Sequence, residues 1–533
     1  MFHLTSTWFV LLAFAFILPS RASTSTLLTS RQSTRIGTTV SLDYGTFVGV
    51  RNDTNGITYF QGIRYADPPI GELRWRAPVS PPTSHLGTVN ATEFAAACIR
   101  TVQVTVAATT SEDCLFGNVY VPPNTQTDDR LPVLVWFHGG GYQTGNTRDA
   151  PPDFIMNSSA KPFVFASFEY RLGQFGFLGG SQIKEDGDLN AGFLDQRAAL
   201  RWVQRYIHHF GGYRMQVTIW GQSAGAGSTM FHLLANNGNN EGLFRAAIGD
   251  SPPLTFVPAY NETYVEGVFT QFVSFTDCAN QGTSTLQCLR SQNITSSMLA
   301  RAGNRTITAR PSTLYVFAPI LDYTTIPVRP VEGFSSPPSP VNQNTTTFTR
   351  VPVLFGSNTN DGANWSSTRI RDPAANTSAP GADEQTLFRF LQGQYASLKE
   401  ETVQEAIAVD GNLYPFGDYD SLTLQAQQMY GEMRFICTAG MIVGAMLEAG
   451  ILDVYQYHYD NPNLGSDHHD ELTAFFSPPP PNASPDDLAL FQVMREYWTS
   501  FVTDGKPASR SGVEWTPRGT ALEARGSCFD LER

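Results

Sequence analysis

Positive charge is what this 533-residue chain has least of. Lys and Arg number 35 against 48 Asp and Glu, a formal charge of −13, with a pI near 5.2. No basic run or arginine-rich stripe interrupts that balance, so neither nucleic acid nor an anionic membrane surface is an expected partner. Cysteine is sparse, with six residues and no Cys-x-x-Cys pair, which leaves zinc and thioredoxin-like readings without support. His-Glu-x-x-His is absent, and no metal or organic cofactor is called for. No internal repeat is visible. Long apolar runs are also missing. Residues 8–18, in "MFHLTSTWFVLLAFAFILPSRAS", form the one stretch that stands out, and it is too short to span a bilayer comfortably. Followed by Pro19, Ser20 and Ala22, it reads as a secretory signal peptide over residues 1–22, although the region before it lacks Lys or Arg. The charged ending "EARGSCFDLER" does not fit a lipid-anchor signal, and no stable membrane insertion is expected.

Secretion agrees with ten Asn-x-Ser/Thr sequons, at Asn52, Asn90, Asn157, Asn261, Asn293, Asn304, Asn344, Asn364, Asn376 and Asn482, which are expected to carry glycans on surface loops. Six cysteines in an oxidising compartment suggest three disulfides, and fifteen pairings are possible. Proximity in sequence favours Cys98–Cys114 and Cys278–Cys288, leaving Cys437–Cys528.

Short apolar runs alternate with a helical pattern. "LPVLVWF" over residues 131–137, "PFVFASFEY" over 162–170, "VTIW" over 217–220, "VPVLFG" from Val351 and "VYQYHY" from Val454 are buried-strand candidates. Leu194, Ala198, Trp202 and Ile207 recur at near-helical spacing before Gly211 and Gly212. This alternation predicts a mainly parallel sheet with helices on both faces. Residues 291–349 are polar, and "FSSPPSPVNQNTTT" is expected as an exposed excursion. Residues 23–533 are expected to form one large domain with long insertions.

The chemistry lies in the glycines. "VTIWGQSAGAGS" runs a strand into Gly221-Gln222-Ser223-Ala224-Gly225 and then into small residues that open a helix. That is a nucleophile elbow: a tight turn holds the Ser223 hydroxyl clear of the backbone, and the following helix points its positive end at the site. The bland alternative is a glycine-rich turn with an inert serine. A serine hydroxyl needs a base, a group to orient that base, and N–H donors for the tetrahedral oxygen. "HGGGY" from His138 follows a strand, and the amides of Gly140, Gly141 and Ala224 are the expected oxyanion hole. Four histidines follow Ser223. His232 is on the same helix, His458 lies within a strand-like run, and His468 and His469 share the loop "NLGSDHHDEL". Spacing alone does not choose between the last two. Asp361, after the strand from Val351, is the candidate acid, although an Asp before Gly is commonly a turn residue.

Taken in order, "FQGIRYADPPIGELRWRAP", "SEDCLFGNVYVP", "WFHGGGYQTG", "YRLGQFGFL", "NAGFLDQRAALRWVQ", "VTIWGQSAG", "GSDHHDEL" and "YWTSFVTDGKP" are similar to the pattern of the type-B carboxylesterase/lipase family, which includes the cholinesterases and secreted fungal esterases and lipases. The resemblance covers nearly the whole mature chain. It implies an α/β-hydrolase fold, a large and mostly parallel central sheet flanked by helices with long loop insertions. It also selects His468 over His469, because the family's base precedes x-x-Glu-Leu, and it puts Asp361 where most members carry Glu. It implies all three disulfide pairs above and a supporting hydrogen-bonding role for Ser251 in "AIGDSPP". Gly117 stands where the family usually has Leu, a change expected to affect local packing.

The resemblance implies ester hydrolysis through an acyl-enzyme on Ser223, with a small-molecule or lipid ester as the partner. The stretch between Cys98 and Cys114 is short and has no aromatic residue. Related lipases carry a long lid there and cholinesterases a choline-stacking Trp, so an open-sited esterase is favoured. A lipase, sterol esterase or feruloyl (aryl) esterase is the alternative. A peptidase or amidase would use the same three side chains, and a catalytically dead adhesion homologue would lack one of them.

Overall fold

The structure, a computed structural model, describes residues 33–279, 285–335, 347–408, 413–512 and 515–518. The expected leader over residues 1–22, the sequon at Asn344 and Cys528 lie outside these residues.

Nine strands make the main sheet: β1 (Val50–Arg51), β2 (Thr58–Arg64), β3 (Phe116–Val121), β4 (Leu131–Phe137), β5 (Val164–Phe168), β6 (Gly212–Gln222), β7 (Ala246–Asp250), β8 (Val353–Asn358) and β9 (Val454–Tyr459). Their order across the sheet is β9-β8-β7-β6-β4-β5-β3-β2-β1. Neighbours from β9 to β5 are parallel, and those from β5 to β1 are antiparallel. The main helices are α1 (Ala191–Tyr206), α2 (Ala224–Gly238), α3 (Cys437–Glu448) and α4 (Pro485–Asp504).

The strands read as continuous apolar runs because both faces are covered. Val133, Val135, Val217, Ile219 and Val353 face a core that includes Trp202 of α1, Leu233 of α2 and Ile442 of α3. Their sequence neighbours Leu134, Trp136, Trp220 and Leu354 face the opposite core, which includes Trp498 and Phe501 of α4. The period-2 alternation of a strand thus feeds two cores at once.

The observed elements differ from the apolar runs at their ends. β6 starts at Gly212, five residues before the run at Val217, and the pairing with β4 shifts register between those two residues. It is continuously buried only from Val217 to Gln222, and only that half carries the hydrophobic signal. β8 starts at Val353, after Pro352, whose ring nitrogen has no N–H to give the ladder. Ile207 falls in a single 3-10 turn after α1 that ends on Gly211 at φ 78°. Most of the expected excursion, residues 336–346, lies outside the described residues, and the polar stretch before it contains regular structure. A helix over Ser296–Thr308 buries Leu299, Ala300 and Ile307, because its apolar residues lie on one face at helical spacing. A third aromatic cluster, which includes Leu314, Trp365, Phe390, Tyr430 and Phe435, packs outside the two sheet layers. At Gly117, a Cβ would press on the Phe168 ring, which fills the space a larger residue would take.

Chain order places the site. From β4 the chain moves to β5 on one side, then returns through α1 to β6 on the other side of β4. The loops leaving the carboxyl ends of β4 and β6 therefore diverge, and such a divergence opens a crevice at the strand ends.

Candidate active site

β6 ends at Gln222 and α2 begins at Ala224, so Ser223 alone makes the turn. It does so at φ 54°, ψ −124°, a left-handed geometry that non-glycine residues adopt only under constraint. The constraint is visible: the Ser223 amide donates to the Asp250 carbonyl at 2.9 Å, and its carbonyl accepts from the Gly227 amide at 2.8 Å. A Cβ at Gly225 would overlap the Phe137 carbonyl, so the small residue there is a steric requirement. Strain at this serine holds its hydroxyl at the strand ends, where Ser223 keeps 9% exposure.

The loop after β4 reverses on Gly140, at φ 108°, with its carbonyl accepting from the amides of Gln143 (3.1 Å) and Thr144 (2.9 Å). A side chain at Gly140 would collide with the Thr144 backbone. Neither the Gly140 nor the Gly141 amide donates to a backbone carbonyl among the described residues. Ala224, as the first residue of α2, presents an amide with no acceptor inside its helix. Gly139 passes so close to the elbow that a Cβ there would sit 3.2 Å from that of Ser223.

Asp361 and His468 come from the loops after β8 and β9, which run side by side through a bridge between Asn360 and Asp467. His468 Nδ1 lies 2.7 Å from Asp361 Oδ1. Asp361 Oδ2 accepts from the Ser251 hydroxyl at 2.9 Å and from the Asn358 amide at 2.8 Å. Asp361 is fully buried and His468 nearly so. An ionised carboxylate only accepts, so Nδ1 carries the proton and Nε2 keeps a lone pair. Nε2 faces the elbow, 3.4 Å from the side-chain nitrogen Nε2 of Gln222. Among the described residues Ser223 Oγ and His468 Nε2 form no mutual hydrogen bond; in hydrolytic sites that contact commonly tightens only when substrate is bound. The other candidate histidines lie apart. His469 is exposed, at φ 77°. His458 is exposed and shares a 2.8 Å hydrogen bond with Thr359. His232 is buried against Phe137 and Phe193, and burial holds its pKa well below the usual histidine range.

Beyond Ser251, sequence reasoning missed the support around this array. Asn358, the last residue of β8, donates its amide to Asp361 and its side chain to Glu471 and to the Asp467 carbonyl. Glu471 is fully buried, and burial, together with the nearby Asp250 and Asp361 carboxylates, pushes its pKa well above the usual range. It belongs to the "HHDEL" stretch, so a signal for it was present. Burial likewise pushes Asp250 up to about 8, against the Trp220 indole that donates to it. Trp365 and Phe435 flank the imidazole of His468 at 5.5 and 4.4 Å between ring centroids, with no periodicity to announce them. Behind the glycine loop, burial pushes Glu169 up to about 7 and His138 down to about 4.

Disulfides join Cys98 to Cys114 and Cys278 to Cys288. Cys437 is disulfide-bonded. Of the sequon asparagines, Asn90, Asn157, Asn261, Asn293 and Asn482 are exposed, but Asn157 and Asn304 lie in helices rather than loops. The side-chain nitrogens of Asn52, Asn304 and Asn364 donate to Tyr59, Val102 and Asp467.

A large sheet, parallel over six strands and flanked by helices, with an elbow at the end of its central strand, defines the α/β-hydrolase fold. Residues 37–525 match the carboxylesterase family, and the chain belongs to it. It is similar to pyrethroid hydrolase Ces2e of Rattus norvegicus, 29% identical over 88% of this chain and 82% of that protein. It is also similar to secreted lipase 1 of Botryotinia fuckeliana, 35% identical over 53% of each chain. The crystal structure of Aspergillus niger EstA matches with a TM-score of 0.77 at 29% identity, over 90% of this chain and 91% of that one. Family membership makes the chain a carboxylic ester hydrolase.

Proposed function

We propose that the chain is a secreted serine esterase that cleaves carboxylic esters through an acyl-enzyme on Ser223. His468 Nε2 takes the Ser223 proton as Oγ attacks the ester carbonyl. The amides of Gly140, Gly141 and Ala224 hold the oxyanion. The resulting imidazolium returns its proton to the leaving alcohol, and a water, deprotonated by the same nitrogen, then releases the acid. Asp361 keeps the imidazole in the Nδ1–H form and stabilises its cation, and Ser251 and the Asn358 amide hold Asp361 in place. The observation that carries this mechanism is the buried 2.7 Å contact between Asp361 and His468, whose free nitrogen is directed at the elbow. An organophosphate should leave a covalent adduct on Ser223, read by mass spectrometry; an adduct elsewhere overturns the assignment.

Substrates of modest size are favoured by the short segment between Cys98 and Cys114, which has no aromatic residue to form a lid or a cation platform. A second reading, bulkier lipid or aryl esters, is supported by the names of the fungal relatives, secreted and other lipases. It is also supported by a cleft of about 630 Å³ lined by Leu254, Tyr395, Leu398, Met433 and Met441. A panel of acyl-chain, aryl and steryl esters separates the two, and a rate jump at the lipid-droplet threshold would favour the second. Secretion is supported by the leader-like residues 1–22 and by disulfides that persist in oxidising compartments.

A further inference from the structure

Arg434 is buried to 4% exposure; it hydrogen-bonds to the Tyr395 side chain and lies among Tyr430, Tyr395 and Tyr315, and among the described residues no Asp or Glu forms an ion pair with it. Its guanidinium carbon sits 5.3 Å from the Tyr315 ring centroid, 5.6 Å from that of Tyr430 and 5.8 Å from that of Phe435. Its Nε has no hydrogen-bond partner. Arginine is rarely buried without a carboxylate, because aromatic faces offset only part of the cost of desolvating a cation.

The side chain lines a cavity of about 30 Å³ shared with Thr255, Tyr315, Tyr264 and Gln394. The Thr255 hydroxyl is also buried and unpartnered. At about 10–15 Å³ for each water-sized group, the space suits two such groups, the requirement of a single carboxylate.

A chain of packed side chains links the lining of the cavity to the reaction site. The Tyr315 ring covers Gly141 of the glycine loop so closely that a Cβ there would overlap it. Tyr315 packs edge-on to Trp365 at 5.9 Å, and Trp365 on His468 at 5.5 Å. On the other side, Arg434 precedes Phe435, which stacks 4.4 Å from His468. The Arg434 carbonyl accepts from the Leu254 amide at 2.6 Å, three residues beyond Ser251.

We propose that Arg434, with Thr255, forms an anion-recognising subsite for a carboxylate at the far end of one arm of the ester. The enzyme then prefers half-esters of short dicarboxylic acids, or esters of short hydroxy acids, over neutral esters of equal length. The guanidinium fork grips both carboxylate oxygens, and the Thr255 hydroxyl donates to one of them. Tyr315 stands between this subsite and the glycine loop. The proposal rests on the esterase function above and specifies its substrate class.

The test compares kcat/KM for p-nitrophenyl half-esters of succinate, glutarate and adipate with p-nitrophenyl esters of neutral acids of the same length. A second arm compares butyryl esters of short hydroxy acids with matched alkyl butyrates. Wild type, Arg434→Met and Arg434→Lys are measured. The expected result is a charged-to-neutral ratio roughly 10- to 100-fold higher in wild type than in Arg434→Met for at least one length on one arm, with Arg434→Lys between them. Equal ratios in wild type and Arg434→Met at every length on both arms overturn the subsite. Wild-type protein that cleaves none of the esters, charged or neutral, overturns the esterase function instead, so the two failures are distinct. Should Arg434→Met not fold, wild type decides alone through competitive inhibition of p-nitrophenyl butyrate hydrolysis at fixed ionic strength. Glutarate inhibiting at least about tenfold more strongly than valerate supports the subsite, and equal inhibition overturns it.

Discussion

His468 is held by two regions of different construction. On one side are strand ends, where Asp361 hydrogen-bonds to it and is itself held by donors from Ser251, after β7, and from Asn358, at the end of β8. On the other side is the aromatic cluster of Trp365, Tyr430 and Phe435, which reaches it through ring contacts. The strand ends are positioned by a parallel ladder buried on both faces. The aromatic cluster is assembled from short irregular turns, including five-residue π-type turns over Trp365–Arg369 and Glu432–Ile436. Directional bonds fix where a proton goes, whereas non-directional packing shapes what fits beside it. Under the proposed mechanism, reactivity belongs to the first region and selection among esters to the second.

The sharpest way to break that division is to remove the nucleophile. Ser223→Ala is expected to lower kcat on p-nitrophenyl butyrate by at least about 10⁴-fold, and near wild-type turnover would end the proposed mechanism. Asp361→Asn comes next, with kcat expected to fall roughly 10³- to 10⁴-fold as the imidazole loses its enforced Nδ1–H form; steady-state kinetics on a folded variant check it. Ser251→Ala removes one of the two donors to Asp361 Oδ2 and is expected to cost about tenfold in kcat, with KM little changed. Phe435→Leu, on the aromatic side, is expected to change kcat less than about fivefold while shifting KM across an acyl-length series. If it instead depresses kcat as much as Ser251→Ala does, the division of labour fails.

The smallest effect concerns pH. Burial lifts the Asp250 carboxyl from its ordinary 3.8 to about 8, so between those values the folded state holds more protons than the unfolded one. The contribution of this group to stability is therefore present at about pH 4, falls as pH rises, and is lost by about pH 8. Asp250→Asn removes that fall and should raise Tm at pH 8 relative to pH 5 by roughly 1–3 °C compared with wild type. A Tm-against-pH curve parallel to the wild-type curve would count against it.

How legible each part was follows its physics. β4 appeared in the sequence with its observed ends, since a strand buried on both faces leaves an unbroken apolar run, and the edge strand β9 appeared with its ends through its aromatic and β-branched residues. The polar half of β6 left no such trace, and the helix over Ser296–Thr308 was hidden in a stretch rich in sequons. The elbow and the glycine loop were legible because backbone that bends this tightly admits only the smallest residues, and that demand is local. The choice of His468 over His469 was not local: both sit in one loop, and resemblance, not spacing, separated them. Asn358, Trp365, Phe435 and Arg434 left no signal, since nothing in their neighbours along the chain says what they touch.

The sequence by itself determined the alternation of strand and helix, the steric form of the turn at Ser223, and the residue types that the proposed acyl transfer calls on. Both kinds of signal arise within about ten residues, from periodic burial and from backbone clearance. Only the tertiary structure brought His468 against Asp361, set the Asn358 amide beside Ser251 on that carboxylate, and buried an arginine among tyrosines beside them. Those facts depend on contacts between segments more than a hundred residues apart, such as Asp361 with His468 and Ser251 with Asp361, and only the sheet order brings those segments together.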